Sequence, residues 1–145
     1  MKQNDVASRA DSVQVLIVDD NEDAAMSLTM LLELEDIAAA TAADAAIALE
    51  LLNRISPRLM LIDIGLPGMN GFELAQRLRE RPDTREITLI ALTGREGGEQ
   101  EPEAAVFNQF WTKPFDPRKL LAEVKSLVDR SMAADCGASA YARQL

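Results

Sequence analysis

Four consecutive apolar residues, Leu59-Met60-Leu61-Ile62, run straight into a carboxylate, Asp63. With Pro57 before it, the run is too short for a typical helix, and its lack of polar alternation predicts a strand buried on both faces, as in a parallel sheet. Asp63 is then delivered to the carboxyl end of a strand, where open α/β sheets bind their ligands. Pro67, Gly68 and Gly71 break regular structure beyond it. Asn70 and Glu73 follow with the spacing of a capping box that opens a helix. Taken alone, Asp63 reads equally well as a solvated strand-end acid.

The same grammar recurs along the chain. Val13 to Val18 predicts a first strand ending in Asp19 and Asp20, and Asn21 fits the cap of a helix with Ala25, Leu28, Leu31 and Leu32 on one face. Ile37 to Ala40 predicts a weak second strand. Thr41, with Asp44 three residues on, opens a helix with Ala45, Ala46, Leu49 and Leu52 inward, closed by residues 53–58. After the strand at Asp63, Phe72, Ala75 and Leu78 form the inner face of a third helix that Pro82 ends. Ile87 to Leu92 predicts a fourth strand, ending at Thr93-Gly94. Residues 95–103, with adjacent glycines and Pro102, leave room only for a short helix starting at or after Glu101. Gln109 to Thr112 is a short fifth strand before Lys113-Pro114, and Pro117 starts a last helix with Leu120, Leu121, Val124, Leu127 and Val128 in one stripe. Strands alternating with helices predict one doubly wound α/β domain: a five-stranded parallel sheet, right-handed crossovers and helices on both faces. The expected organisation is a leader over 1–12, a domain over 13–130 and a tail over 131–145.

Composition narrows the chemistry. At 145 residues the chain is long enough to bury roughly 68–70% of its unfolded surface, so neither disulfide nor structural metal is needed to hold it. One cysteine, Cys136, fits a reducing compartment, and no apolar run approaches the ~18 residues of a membrane span, which points to the cytoplasm. A net charge of −9, from 24 acidic and 15 basic residues, opposes binding to nucleic acid. The absence of histidine excludes serine–histidine triads and removes the commonest zinc ligand.

What remains is a set of strand-end groups on one sheet edge: Asp19, Asp20 and Asp63, with a hydroxyl at Thr93 and an ammonium at Lys113. Clustered carboxylates repel unless a hard cation or a cationic side chain compensates them, and Mg²⁺ suits oxygen ligands. A magnesium ion and a lysine flanking an oxygen nucleophile describe a phosphoryl-transfer site in which Asp63 takes the phosphoryl group as an acyl phosphate.

These residues carry a family resemblance. With Asp19-Asp20-Asn21, Asp63 to Gly71, Thr93-Gly94 and Lys113-Pro114 in order, each at a predicted strand end, residues 13 to 130 resemble a response-regulator receiver domain. The resemblance implies a flavodoxin-like sheet in the order 2-1-3-4-5. It makes Asp63 the phosphoacceptor, and Asp20, Asp63 and the Gly65 carbonyl the direct Mg²⁺ ligands, with Asp19 acting through water. Thr93 donates its hydroxyl to the phosphoryl group, Lys113 pairs with it, and the Lys113–Pro114 bond is cis. Phe110 falls where the family has a switch aromatic that turns inward when the threonine moves. Trp111 alternates to the opposite face and reads as core.

Two departures accompany the resemblance. Twenty steps separate Thr93 from Lys113, a couple fewer than is usual in the family, and Val106-Phe107 replaces the small residue or glycine that commonly precedes the fifth strand. The implied function is a phosphorylation-dependent switch rather than an enzyme, with a sensor histidine kinase or histidine phosphotransfer protein as donor and a downstream protein as target. A phosphatase with an aspartyl intermediate needs a cap or a substrate pocket and a dedicated acid. A receiver-like binding module or a phosphate sink is the other alternative.

Overall fold

In the computed structural model the described residues are 13–94 and 105–129. The expected leader, the tail and the short helix near Glu101 lie outside them. Strand β1 spans Val15–Val18, helix α1 Glu22–Leu34, β2 Ala39–Ala42, α2 Ala45–Leu51, β3 Leu59–Asp63, α3 Gly71–Glu80, β4 Thr88–Thr93 and β5 Gln109–Thr112. Helix α4 covers 117–129. All strand pairs are parallel and the order is β2-β1-β3-β4-β5, the flavodoxin-like arrangement.

Alternation along each strand divides the core into two layers. Val18, Met60, Ile62, Leu89 and Ala91 face α2 and α3 with Ala45, Ala48, Leu74 and Leu78. Ile17, Leu59, Leu61, Ile90 and Leu92 face α1 and α4 with Leu28, Leu32, Leu120 and Val124. The short central strands are fully covered because helices pack on both sides, which explains their unbroken apolar sequence.

Boundaries shift where local bonding overrides apolar pattern. Gln14 still bridges the neighbouring segments, its N–H donating to Ala38 O and its carbonyl accepting from Arg58 N, yet the regular strand begins at Val15. Ile37 is buried as part of the end of α1 instead of opening β2. Its N–H donates to Leu32 O and that of Asp36 to Glu33 O, a Schellman closure with Asp36 left-handed at φ 62°. Asp44, not Thr41, caps α2 by accepting from Ile47 N at 2.8 Å; Thr41 lies within β2. The buried face of α2 is Ala45 and Ala48, with Leu52 just beyond its end, while Ala46 is exposed, because in an alanine-rich helix several registers have similar apolar content. In α3 Leu74 joins Ala75 and Leu78 in the core, and Phe72 sits half-buried at its edge. Asp116 caps α4, its carboxylate accepting from Arg118 N at 2.9 Å.

Candidate functional site

The parallel arrangement carries the strand-end residues to one edge. Asp19 follows β1 and its N–H donates to Ala42 O at 3.0 Å; Asp63 is the last residue of β3, beside Leu92; Thr93 ends β4; and Lys113 follows β5, its N–H donating to Thr93 O at 2.7 Å. Asp19, Asp20 and Asp63 each offer a carboxylate oxygen within 4.8 Å of the others'. The Lys113 ammonium bridges two of them, at 3.3 Å from Asp19 Oδ2 and 3.2 Å from Asp63 Oδ2. Asp19 is buried, its side chain only 1% exposed, whereas Asp20 opens to solvent.

Burial pushes the Asp19 carboxyl above its ordinary value, against the opposing pull of the Asn21 N–H and of Lys113. Burial alone would lower the Lys113 ammonium, but Asp19 and Asp63 more than reverse this and leave it raised. Three carboxylates against one ammonium leave uncompensated negative charge at an all-oxygen site. That donor set fits Mg²⁺, a hard cation that takes carboxylate oxygens and keeps several waters.

The turn after β3 holds Asp63 in place. Gly65 N donates to Asp63 Oδ1 at 2.9 Å, Ile64 N to Leu92 O at 2.9 Å, and Gly71 N to Ile64 O at 3.0 Å. The expected capping box forms, with Asn70 Oδ1 accepting from Glu73 N and Glu73 Oε1 from Asn70 N. Gly68 takes a left-handed φ of 73° that glycine adopts at no steric cost. Gly71 is needed for a different reason. A Cβ there would lie 2.7 Å from Asp63 O and 2.8 Å from Ile64 Cα, so the first turn of α3 rests directly on the backbone that carries Asp63. The sequence suggests only a chain break at Gly71; this close approach depends on how helix meets strand.

On β5, Phe110 faces the α2/α3 layer and packs with Phe72 and Phe107, ring centroids 6.5 and 5.4 Å away. Phe107 thus fills, as a buried aromatic, the place where a small residue is usual. Trp111 turns to the other layer as expected, though only half-buried, edge-on to Phe115 at 6.3 Å. The Lys113–Pro114 bond is cis.

Arg79 is the residue that sequence reasoning passed over. From the last turns of α3 its guanidinium donates to Val106 O at 2.9 Å, Arg85 O at 2.6 Å, Ile87 O at 2.7 Å and Asn108 Oδ1 at 2.8 Å. Asn108 in turn extends the β4–β5 ladder, its Oδ1 accepting from Leu89 N at 2.8 Å and its N–H donating to Leu89 O at 2.7 Å. Arginine and asparagine near element ends carry no apolar signal, so only the assembled fold reveals them.

A parallel sheet in this order, with acids at the carboxyl ends of β1 and β3 and a lysine after β5, defines the receiver class of signalling domain. Residues 15–125 match the family model described as the response regulator receiver domain, and the chain belongs to that family. It is 39% identical over 115 residues to an uncharacterized 14.6 kDa protein in the sodA1 3′ region of Leptolyngbya boryana, covering 78% of this chain and 88% of that protein. It is 35% identical over 127 residues to the response regulator PleD of Caulobacter vibrioides, covering 86% of this chain but only 28% of PleD. Among solved structures, the receiver domain of the Francisella response regulator 1452 superposes with a TM-score of 0.74 at 26% identity, over 81% of this chain and 98% of that one. The chemotaxis response regulator CheY4 of Vibrio cholerae gives 0.73 at 26% identity, over 79% and 98%. Receiver domains are signalling switches that interact with histidine kinases or phosphotransfer proteins. Among the described residues, no helix is long and apolar enough to cross a membrane.

Proposed function

We propose that this receiver domain is a phosphorylation-dependent switch that takes a phosphoryl group from a partner phosphohistidine onto Asp63. The observation that carries the reading is the Lys113 ammonium held between Asp19 and Asp63 within a three-carboxylate cluster. In the transfer, an Asp63 carboxylate oxygen bonds to phosphorus while the phosphorus–nitrogen bond to the donor imidazole breaks, and the imidazole leaves with that electron pair. Lys113 neutralises charge on the incoming group. Thr93, at the end of the adjacent strand, donates its hydroxyl to the bound phosphoryl, and Phe110 responds to that movement. Asp20, Asp63 and the Gly65 carbonyl would hold Mg²⁺ directly, and Asp19 through water. When bound, the ion supplies charge neutralisation for the attacking and transferred oxygens.

The donor phosphohistidine lies outside these 145 residues, which hold no histidine. Helix α1 supports where such a partner sits. Met26, Met30 and Leu34 lie four residues apart along it, 59%, 61% and 79% exposed, and the helix carries Glu22, Asp23 and Glu33 but no basic residue. An apolar ridge whose own helix carries only acidic charges, with Lys125 of α4 reaching Glu35 just beyond Leu34, suits a partner helix with an apolar stripe edged by Lys or Arg. Met26 also lines a cavity of ≈ 240 Å³ that reaches Asp19, so a partner on this ridge approaches the acid cluster. We place the exchange in the cytoplasm, with the signal leaving by contact with a downstream protein and not through nucleic acid.

The test is incubation with acetyl phosphate and Mg²⁺, followed by intact mass, beside Asp63→Asn. The expected result is a Mg²⁺-dependent gain of one phosphoryl group in the native protein only. A protein that gains none from acetyl phosphate, and none from a sensor kinase that labels other receivers, is a binding module instead.

A further inference from the structure

The position of Lys113 has to be set by something more than β5 itself. That strand is four residues long, lies at the sheet edge, pairs only with β4, and none of its residues is fully buried. Phe110 and Trp111 favour one register by turning to opposite core layers, but both stay only half-buried, so the side chains of this strand hold it less firmly than those of the central strands. Yet the site tolerates little slippage. A shift of one residue moves Lys113 by about 3.3 Å, which carries an ammonium now 3.2 Å from Asp63 beyond ion-pair distance. The same shift turns Phe110 to the opposite face of the sheet.

The anchor lies at the other end of the strand. Asn108, immediately before β5, bonds Leu89 through both its backbone N–H and its side-chain oxygen, and that oxygen also accepts from Arg79. Arg79 further grips Val106 O, Arg85 O and Ile87 O. One planar guanidinium therefore ties the approach to β5 to the approach to β4, a geometry that a lysine ammonium does not reproduce. Arg79 belongs to α3, whose opposite end rests through Gly71 on the backbone of Asp63. The helix is thus referenced at one end to the phosphoacceptor and at the other to the strand that delivers the lysine.

We propose that Arg79 is a positioning residue for phosphoryl acceptance: acting through Asn108, it fixes the register of β5 and so places Lys113 against Asp63, five residues and about 17 Å along the strand. The proposal rests on the phosphoacceptor reading above. No part of Arg79 touches the reacting atoms.

A double-mutant comparison tests it. Labelling from acetyl phosphate is timed by intact mass for the native protein, Arg79→Gln, Lys113→Gln and the double variant, each well below its melting temperature. Misplacement by ~1 Å can cost ~100-fold, so Arg79→Gln is expected to slow labelling about tenfold or more in the native background. It should change the rate less than about twofold once Lys113 is already gone. Equal factors in both backgrounds, or no effect in either, overturn the proposal, because a residue that merely stabilises the fold acts regardless of Lys113. If Arg79→Gln does not fold, Asn108→Ala, which removes the shared acceptor oxygen, takes its place in the same scheme. If the native protein is labelled neither by acetyl phosphate nor by a sensor kinase that labels other receivers, the phosphoacceptor reading fails by itself, and amide hydrogen exchange then decides the positioning claim. Arg79→Gln should deprotect the Asn108 and Lys113 amides while those of β1 and β3 keep their protection; unchanged protection at Lys113 overturns it.

Discussion

Replacing Gly71 by alanine adds one methyl group to the first turn of α3, and its neighbours are backbone atoms that cannot rotate away. The new carbon would meet Asp63 O at 2.7 Å, Ile64 Cα at 2.8 Å and Asp63 C at 3.2 Å. Carbon contacts are comfortable at about 3.5–4.0 Å, so helix and strand end must separate by about 0.7 Å. Alanine gains up to ~1 kcal/mol in helix propensity, while overpacking costs ~1–3 kcal/mol. The expected net loss is about 1 kcal/mol, read as a lower urea midpoint at unchanged slope. The displacement falls on Asp63, the proposed acceptor, so labelling from acetyl phosphate should slow about tenfold, well beyond what the stability change alone produces. Gly94→Ala is the packing control for stability alone, since a Cβ there meets nothing within 4 Å. Native stability and native labelling rate in Gly71→Ala would refute the claim that this contact positions Asp63.

Lys113→Met should remove a pH dependence as well as a charge. The lysine is raised above its ordinary 10.5 in the folded state, so its stabilising contribution is fully present below that pH and is lost as pH rises through the higher folded value. Urea midpoints of native and variant proteins should therefore converge on going from neutral pH to well above 10.5, and parallel curves would contradict the pairing. Asp36→Gly relieves a left-handed residue at the end of α1; it should stabilise by roughly 0.5–1 kcal/mol, or about 3 °C in calorimetric Tm. Met30→Glu places a charge in the exposed ridge of α1. It should slow transfer from a phosphorylated histidine donor while leaving acetyl phosphate labelling as it was, and equal slowing of both would remove the ridge as a docking face.

Much of the architecture is written in the residues themselves. The runs at Val15–Val18 and Leu59–Asp63 are legible because burial on both faces leaves no polar position to obscure them, and the cap at Asn70 is legible because it depends on a side chain and a backbone group three residues apart. The acids and the lysine of the site are legible because parallel topology sends every strand end to the same edge. The inner face of α2 is not, since Ala45, Ala46 and Ala48 give several registers nearly equal apolar content. Nor are Gly71 and Arg79. Their roles arise from how α3 lies across β3 and β4, a tertiary relation that no local pattern encodes.

The two-layered core also bears on how such a domain diversifies. Among the described residues, the side chains that face α2 and α3 are a separate set from those that face α1 and α4, with only strand backbone between them. Changes in one layer should add to changes in the other within about 0.3–0.5 kcal/mol. One layer is therefore free to drift towards a new partner while the opposite one keeps its own. The constraint common to both is the row of strand ends, where a substitution from either side is felt by the same few charged groups.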